Sequence, residues 1–401
     1  MIPLAPDRVW ATYLSNHNYV LGCLVLAYSL RKVRSRYPLV VMVPLSPPLD
    51  PEDLRTLENT SNIIVKSIDI SIWGHPKCVT ATAQEKPEYL WDYYAHTWAK
   101  MGAWGLVEYR RVVLLDCDML VRLNMDQLLN DRAEDQKMEE EGGMNERKVQ
   151  LGYADATLDL PEGWVAAAHA CTCNPMQNPK YPASWTPDSC AYSQYVGNPC
   201  PPSHNHPQTQ VQVQVQEKKD HISALAIAGG SHRRSYFNSG LVVLTPSSQQ
   251  LNQILTAFNN ITSLNQYLFP DQDLLNEVFA GRWIALGYGY NALKTLPSAH
   301  SPIWKEDLAF PPFELKDKAA VIEDTYWSST TTTPNTDTCT DTEIARPSVM
   351  PVVNIHYILE KPWDVKDLEK ARQESNRFVN LYRWWWQAHD ELMQETKNGS
   401  T

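Results

Sequence analysis

Two aspartates separated by one residue follow an apolar segment in the first third of the chain. The segment is Arg111-Val-Val-Leu-Leu-Asp116-Cys-Asp118, and its unbroken apolar run predicts a strand covered on both faces. Side chains alternate along an extended chain, so Asp116 and Asp118 should point the same way and Cys117 the other way. Two neighbouring carboxylates repel each other unless a cation lies between them. The pair therefore indicates a site for a divalent cation that carries a phosphate, and the alternative is a solvated acidic turn.

The segments before this pair alternate between strands and helices. We predict strands over residues 8–14, 37–44, 62–66 and 111–116, with helices over 19–34, from Pro51 onward and over 89–109 between them. This order predicts an α/β fold with a mainly parallel sheet and right-handed crossovers. Ligands of such sheets bind beyond the carboxyl ends of the strands, which is where the two aspartates lie.

The rest of the chain continues this pattern with longer interruptions. We predict further elements at 124–130 (a short helix), from Trp164 (strand), Tyr236–Pro246 (a polar turn feeding a strand), 248–260 and 270–279 (helices), 351–358 (strand) and 365–396 (a Trp- and Arg-rich helix). Aperiodic or low-complexity stretches predict loop insertions at about 131–160, 174–235 and 326–346. Residues 169–203, which overlap the second of these insertions, are nevertheless rich in proline, cysteine and aromatics, which indicates an ordered irregular segment. Residues 1–396 should form one domain, and 397–401 a disordered tail.

The composition limits the classes of partner. The chain has 401 residues, of which 43% are hydrophobic, and these can form a large core. Its formal net charge of -11 argues against a nucleic-acid or anionic-membrane partner. We find neither a signal-peptide pattern nor an apolar stretch long enough to span a bilayer, and therefore expect a cytoplasmic protein. The sequence leaves open whether the protein forms a homodimer.

A second group of metal-binding residue types lies at His169-Ala-Cys171-Thr-Cys173, with Cys190 and Cys200 downstream. Zinc favours thiolates and imidazoles in sets of four, but Cys-x-Cys is not the usual paired spacing. Without an export signal the eight cysteines are expected to be free thiols. A zinc site and a disulfide remain the alternatives for this group.

Four motifs occur in the order used by glycosyltransferase family 8, which includes glycogenin and galactinol synthase. They are Asp116-Cys-Asp118, Phe237-Asn-Ser-Gly-Leu-Val-Val-Leu, Asp271-Gln272-Asp-Leu-Leu-Asn276 and His356-Tyr followed by Lys361-Pro-Trp363. The chain most resembles the galactinol synthase branch, in Leu30-Arg-Lys-Val-Arg-Ser-Arg-Tyr-Pro and in Trp384-Trp385-Trp386, and glycogenin more distantly. The resemblance covers about residues 8–130, 164–173 and 236–390. It implies a GT-A fold, a single Rossmann-like domain that binds a nucleotide-sugar and ends in a helix.

The resemblance also implies ligands for the cation and the phosphates. His356 matches the third metal ligand beside Asp116 and Asp118, and a nitrogen ligand favours Mn²⁺, with Mg²⁺ as the alternative. The other interpretation of His356 is a structural histidine at a strand end. Lys361 matches a phosphate contact, and the alternative is a surface lysine. Leu359-Glu360 stand where the family usually has a glycine, and the spacing between His356 and Lys361 is one residue shorter than in glycogenin. How this loop would contact the diphosphate is therefore left open.

The remaining donor positions follow from the same resemblance. Tyr13, Ser15, Asn16 and Tyr19 match the uridine contacts, although Tyr19 could instead be the first core residue of its helix. Lys100 matches a donor-binding lysine, where the generic alternative is a solvated charge. Further donor contacts are implied for Cys117, Asn238, Ser239 and Gly240. Asp271 and Gln272 match the sugar-facing catalytic pair, although Asp is also common at helix starts.

The implied function is a metal-dependent transferase that retains the stereochemistry of its donor. It would move a hexose, either galactose or glucose, from a UDP-sugar to an acceptor hydroxyl. The acceptor would be either a glycan or a small polyol such as inositol. A glycogenin-like self-glucosylating primer is the alternative of the same class. A catalytically silent protein that binds a nucleotide-sugar is the alternative from another class.

Overall fold

The computed structural model describes residues 7–73, 92–130, 158, 160–192, 236–300 and 352–399. The predicted insertion at 326–346, the low-complexity stretch within 174–235 and nearly all of 131–160 lie outside the described residues. The first part of the second insertion, up to Tyr192, is described and ordered, as its composition indicated.

A seven-stranded sheet forms the centre of the fold. Its strands are β1 (Arg8–Tyr13), β2 (Leu39–Pro44), β3 (Ile63–Ile68), β4 (Arg111–Leu115), β6 (Val165–His169), β7 (Phe237–Leu244) and β8 (Trp283–Leu286), in the spatial order β3-β2-β1-β4-β7-β6-β8. Every neighbouring pair is parallel except the two pairs that include β7. The predicted α/β fold with a mainly parallel sheet is therefore confirmed, with one reversed strand.

The reversed strand β7 brings its first residues, rather than its last, to the edge where β4 ends. Leu241 pairs with Leu115, and the Asp116 amide donates to the Gly240 carbonyl at 2.9 Å. The prediction of a polar turn before this strand was wrong, because Asn238, Ser239 and Gly240 belong to β7 itself. Strand pairing extends through the polar residues because their backbone groups still find partners across the sheet.

A second, three-stranded sheet supplies the rest of the cleft edge. It consists of β5 (Met119–Val121), β9 (Ala292–Leu293) and β10 (Asn354–His356), with β10 in the middle. His356 pairs with Met119, and the Tyr357 amide donates to the Asp118 carbonyl at 2.8 Å. This antiparallel pairing places the late histidine directly beside the early aspartate. The last strand is shorter than the predicted span 351–358.

The α-helices cover both faces of the main sheet and one face of the small one. They are α1 (Val20–Lys32), α2 (Pro51–Glu58), α3 (Ser248–Asn259), α4 (Pro270–Val278), α5 (Leu296–Ala299), α6 (Leu368–Gln373) and α7 (Val379–Gly399). Buried residues of α1 and α2 pack on one face of the main sheet, and those of α3 and α4 on the other. Helix α7 packs with the small sheet in a third core. No described helix is long and apolar enough to cross a membrane.

Three predicted helices differ in form or length. The segment predicted as an α-helix over 89–109 is a 3₁₀ helix, Asp92–Gly105, in which Trp98, Met101 and Trp104 are buried. The helix predicted at 124–130 is one 3₁₀ turn, Asp126–Leu128.

The predicted C-terminal helix over 365–396 is interrupted. It divides into α6 and α7, and Ser375 takes a positive φ of 59° just after α6 ends, a conformation that no right-handed helix can continue through. Helix α7 then continues to Gly399, three residues beyond the domain boundary predicted at 396.

Candidate functional site

All the residues selected from the sequence motifs line one cleft at the carboxyl ends of β1 and β4. The cleft also takes in the start of β7, the start of α4 and the loop that follows β10. Its predicted members are Tyr13, Ser15, Asn16, Tyr19, Lys100, Asp116, Cys117, Asp118, Asn238, Ser239, Gly240, Asp271, Gln272, His356 and Lys361. Positions as far apart in sequence as 13 and 361 are thus brought together by the two sheets.

Asp116, Asp118 and His356 form a three-sided cluster of metal-ligand types. The Nε2 atom of His356 lies 3.3 Å from Oδ1 of Asp118 and 3.6 Å from Oδ2 of Asp116. Adjacent ligands of one divalent ion lie about 3 Å apart when each ligand–metal bond is about 2.1 Å long. The spacing and the donor set of two oxygens and one nitrogen therefore fit a single divalent cation. The Cys117 thiol points the opposite way, to Thr12 Oγ1 at 3.1 Å.

The orientation of His356 supports a metal-ligand role for its Nε2 atom. Its Nδ1 lies 2.9 Å from Oδ1 of Asn291, an acceptor, so Nδ1 carries the proton that it donates. In the neutral ring this leaves a lone pair on Nε2 facing two carboxylates, which is unfavourable without a cation between them. Gly240 permits the arrangement, because a Cβ atom there would lie 2.6 Å from Nδ1 of His356.

Two lysines neutralise most of the charge in the cleft. The Lys361 ammonium contacts Oδ2 of Asp118. Burial alone would raise the pKa of Asp118, but Lys361 and His356 hold the pKa well below its ordinary value. Three carboxyl groups and two ammonium groups line the cleft together with His356. A bound divalent cation would make the cleft more positive.

Lys100 joins the aspartate pair to helix α4. Its ammonium lies 3.1 Å from Oδ1 of Asp116 and 2.5 Å from Oδ2 of Asp271. Burial by itself would lower the pKa of Lys100, but these two carboxylates raise the pKa above its ordinary value. The same Asp271 oxygen accepts from the Ser239 hydroxyl at 2.7 Å. Lys100 is buried, so the alternative of a solvated surface charge is wrong.

A chain of hydrogen bonds runs from His356 to the far end of the cleft. After Asn291, the amide groups follow one another in a single direction at 2.8–2.9 Å: Asn291 donates to Asn238, Asn238 to Gln272 and Gln272 to the Tyr236 hydroxyl. Tyr236 in turn donates to the Asp273 carboxylate. Gln272 is thereby fixed at both ends of its side-chain amide. Each member of such a chain polarises the next.

The nucleoside end of the predicted site lies where β1 leads into α1. Tyr19 is half-buried at the end of a 3₁₀ turn, His17–Tyr19, and its ring meets Trp363 edge-on at 5.6 Å between centroids. Asn16 caps that turn by accepting from the Asn18 amide at 3.0 Å. The cleft therefore has an aromatic corner next to Lys361, whose ammonium lies 6.0 Å from the centre of the Tyr19 ring.

The loop after His356 contains a residue in the left-handed backbone region. Leu359 takes a positive φ of 64°, the region that glycine enters without cost. A non-glycine residue there carries strain of about 1–2 kcal/mol. A glycine at position 359 would avoid this strain.

Several residues in or beside the cleft were not predicted from the sequence. Asn291 ends a 3₁₀ turn, Tyr288–Asn291, and orients His356. Tyr181, Trp185 and Phe269 line the cleft, and the rings of Trp185 and Phe269 are stacked with centroids 5.2 Å apart. We call these three residues the aromatic wall.

Lys294 is a fully buried lysine behind the cleft that was also missed. Its ammonium contacts the Glu360 carbonyl and lies 2.7 Å from the Tyr382 hydroxyl. Burial, and then the nearby Lys361, lower the pKa of Lys294 to about 7. Lys294 thus ties helix α7 to the loop that carries Lys361. This burial was not predictable from the sequence, because Lys294 stands in a short, irregular segment.

Sequence comparison finds one family and several curated relatives. A family model described as Glycosyl transferase family 8 matches residues 11–139 and 202–367. Galactinol synthase 6 of Arabidopsis thaliana is 26% identical over 297 residues, which is 73% of this chain and 66% of that protein. Galactinol synthase 1 of Solanum lycopersicum is 25% identical over 292 residues, with the same coverage. This chain therefore spans just under two thirds of the length of these relatives.

Structure comparison finds glycosyltransferases of low sequence identity. The galactosyltransferase LgtC in complex with donor and acceptor sugar analogues is 15% identical, with a TM-score of 0.43, over 93% of this chain and 95% of its own. The glycosyltransferase GlyE of Streptococcus pneumoniae TIGR4 is 13% identical, with a TM-score of 0.44, over 98% of this chain and 64% of its own.

Proposed function

Because this chain belongs to glycosyl transferase family 8 and is a glycosyltransferase, we propose that it moves a hexose from a UDP-sugar to an acceptor hydroxyl with the help of a divalent cation. The observation that carries the proposal is the cluster of Asp116, Asp118 and His356 at the centre of the cleft. Without a cation, the three carboxyl groups of the cleft would weaken the binding of a diphosphate. With one, the same residues would attract it.

The donor would lie along the cleft with its diphosphate at the cation. When bound, the cation offsets the negative charge that develops on the departing diphosphate, usually a large catalytic contribution. The nitrogen ligand favours Mn²⁺ over Mg²⁺. Lys361, now paired with Asp118, is placed to move its ammonium onto a phosphate oxygen. Tyr19 and Trp363 supply the aromatic corner against which the uracil would pack.

The hexose would lie between Lys100 and the fixed amides of the hydrogen-bond chain. Asn238 and Gln272 are held rigidly, which suits groups that orient sugar hydroxyls. Asp271 is bound by an ammonium and a hydroxyl, and this pairing weakens it as a nucleophile. Retention of stereochemistry can proceed through a covalent sugar on such a carboxylate or by attack on the same face as the leaving group. Mass spectrometry of the peptide that contains Asp271 during turnover distinguishes the two routes.

The similarity to galactinol synthases supports UDP-galactose as donor and inositol as acceptor. A glycogenin-like primer would instead glucosylate itself. Intact-mass measurement after incubation with UDP-glucose and Mn²⁺ separates the two, because only the primer gains mass in steps of one hexose. The cytoplasmic location expected from the sequence stays a prediction.

The proposal is tested by a donor and acceptor screen with the purified full chain. UDP-galactose, UDP-glucose and UDP-N-acetylglucosamine are each incubated with and without inositol, in Mn²⁺, Mg²⁺ or a chelator, and UDP release is measured. We expect the fastest release with UDP-galactose, inositol and Mn²⁺, and an α-linked product by NMR. UDP release that is unchanged by the chelator, or absent with every donor, would contradict the proposal.

A pair of variants locates the activity. Asp118→Asn removes one charged ligand and should slow transfer by about 10²-fold or more, the scale of losing one electrostatic stabiliser. Asp126→Asn changes another buried aspartate, one that binds Ser35 and the Arg36 amide away from the cleft, and should leave turnover near that of the parent protein. Equal turnover in the two variants would contradict the assignment of Asp118 as a metal ligand.

A further inference from the structure

Four buried metal-ligand side chains converge beside the aromatic wall, outside the cluster that holds the donor cation. They are Cys171, Cys173, Cys190 and His300, and their ligand atoms all lie within 4.8 Å of one another. The Nε2 atom of His300 is 3.4, 3.2 and 3.5 Å from the sulfurs of the three cysteines in that order. At most 8% of any of these residues is exposed.

Hydrogen bonding alone does not account for this convergence. One ring nitrogen either donates one proton or offers one lone pair, so it can satisfy one thiol and not three. A disulfide does not account for it either, because the sulfurs of Cys171 and Cys190 are 3.9 Å apart and both cysteines are free. A cation at the centre would bind all four groups at once.

We propose that Cys171, Cys173, Cys190 and His300 bind one zinc ion. Tetrahedral zinc with bonds of about 2.3 Å to sulfur and about 2.05 Å to nitrogen places sulfurs about 3.8 Å apart and sulfur and nitrogen about 3.6 Å apart. The observed 3.9 Å and 3.2–3.5 Å agree with that geometry. Three thiolates and an imidazole are soft ligands that select zinc over magnesium, calcium or manganese.

His169, which the sequence placed in this group, is not a member. Its ring packs edge-on against Trp283, with centroids 4.9 Å apart. The imidazole comes instead from His300, 110 residues after Cys190, just past the end of α5. Cys200 lies outside the described residues. The set of four that zinc favours is therefore complete without either residue.

The zinc would be structural and would hold one wall of the donor cleft. Four protein ligands leave no open position for a substrate. Cys171 and Cys173 follow β6, and Cys190 closes a loop that begins at Cys173 and carries Tyr181 and Trp185. Within the described chain this loop has little regular structure, only a single 3₁₀ turn before Cys190. Metal bonds at both of its ends would fix the aromatic wall against helix α4.

The test is the metal content of the purified full chain, made without a histidine tag and passed through metal-free buffer. We expect one zinc per chain, and Co²⁺ introduced in its place should give the thiolate charge-transfer and d–d absorption bands of a tetrahedral site. Cys173→Ser and His300→Gln should each lose most of the zinc. Cys23→Ser, which changes a buried cysteine elsewhere, should keep it, and so should Asp118→Asn at the donor cluster.

Three results would overturn the proposal, and none of them depends on sugar transfer. The first is a parent protein that contains no zinc and takes up neither zinc nor cobalt. The second is a peptide map with a disulfide between Cys171 and Cys190. The third is zinc that Asp118→Asn abolishes and Cys173→Ser retains, because the ion would then belong to the donor cluster. The parent protein alone decides the first two, so a variant that fails to fold leaves the test intact.

Discussion

Gly240, which has no side chain, leaves the space in which His356 lies. Gly240 stands in β7 directly under the imidazole ring, and a Cβ atom there would approach Nδ1 of His356 to 2.6 Å and Oδ1 of Asn238 to 2.9 Å. Both neighbours are held by hydrogen bonds, so neither can move away without breaking the chain through Asn291. The position therefore requires glycine for the close approach of a side chain and not for its backbone angles.

Gly240→Ala should displace His356 and slow transfer by about 10²-fold, since a shift of about 1 Å in a catalytic group has effects on that scale. The measurement is turnover with Mn²⁺, together with Mn²⁺ affinity. Gly105→Ala is the control, because its new methyl group would meet only the flexible end of Leu251 at 3.2 Å. Parent-like Mn²⁺ affinity in Gly240→Ala would show that His356 is not a ligand.

Asp273 ends the hydrogen-bond chain as a carboxyl group with an unusual pKa. Burial, the largest cause, raises its pKa to about 7, and Asp271 adds to this effect. The unfolded chain has the ordinary value near 4, so between about pH 4 and pH 7 the folded state binds more protons than the unfolded state. The contribution of this group to stability is therefore present at low pH and is lost as the pH rises towards 7.

Asp273→Asn should remove this pH dependence. The free energy of unfolding, measured with urea at intervals from pH 5 to pH 8, is compared between the parent and the variant. The difference between the two curves should change by up to about 1.4 kcal/mol per pH unit below pH 7 and flatten above it. A difference that is constant across the range would show that Asp273 titrates normally.

Some of these residue roles were accessible from the sequence and others were not. The spacing of Asp116 and Asp118 after an apolar run predicted their common direction, because strand geometry alternates side chains. Asn291 and Lys294 act through contacts with residues about 50 to 90 positions away. No local pattern encodes such contacts, since they depend on how β9 and β10 pair.

At the scale of elements, the loop between β6 and β7 carries two rings of the aromatic wall. Trp185 stacks on Phe269 with an interplanar angle of 10°, and Tyr181 lies against both rings. Flat, partly exposed rings suit the apolar face of a polyol or sugar. We therefore predict that the aromatic wall binds the acceptor.

Trp185→Ala should raise the KM for the acceptor about tenfold, equivalent to about 1.4 kcal/mol, while the KM for the UDP-sugar stays within twofold. Trp185→Phe should recover most of the affinity because the stack on Phe269 is kept. Steady-state kinetics with each substrate varied in turn provides both constants. An effect on the UDP-sugar alone would place the wall on the donor side instead.

The parallel direction of strands β1 to β4 was predictable because continuous apolar runs and intervening helices favour parallel crossovers. The direction of β7 was not, since an apolar run carries no sign of direction. Strands β5 and β9 have three and two residues, too few for any periodicity. They form only because β10 lies between them, so the small sheet is a product of the tertiary structure.

At the scale of the whole molecule, helix α7 supports the Tyr19 end of the cleft from behind. Trp385 is fully buried and packs on Trp363 with centroids 5.4 Å apart, and Trp363 packs on Tyr19 in turn. The third core therefore reaches the cleft through three aromatic rings. We expect a defect in α7 to weaken the binding of the proposed donor.

Trp385→Ala should lower the free energy of unfolding by about 3–5 kcal/mol, the usual cost of removing a large buried ring. It should also raise the KM for the UDP-sugar, because Trp363 loses its support. Trp384→Ala is the matched change, a partly buried tryptophan beneath the Arg122 guanidinium. Comparable urea midpoints for the two variants would contradict the role given to Trp385.

The pairing of β5 with β10 also determines when the metal-ligand cluster can form during protein synthesis. His356 leaves the ribosome 238 residues after Asp118, which at about 5–20 residues per second is a delay of roughly 12–48 s. Until then the first four strands can assemble, but Asp118 has neither His356 nor Lys361 beside it. The protein therefore passes through a stage in which its sheet exists and its cluster of Asp116, Asp118 and His356 does not.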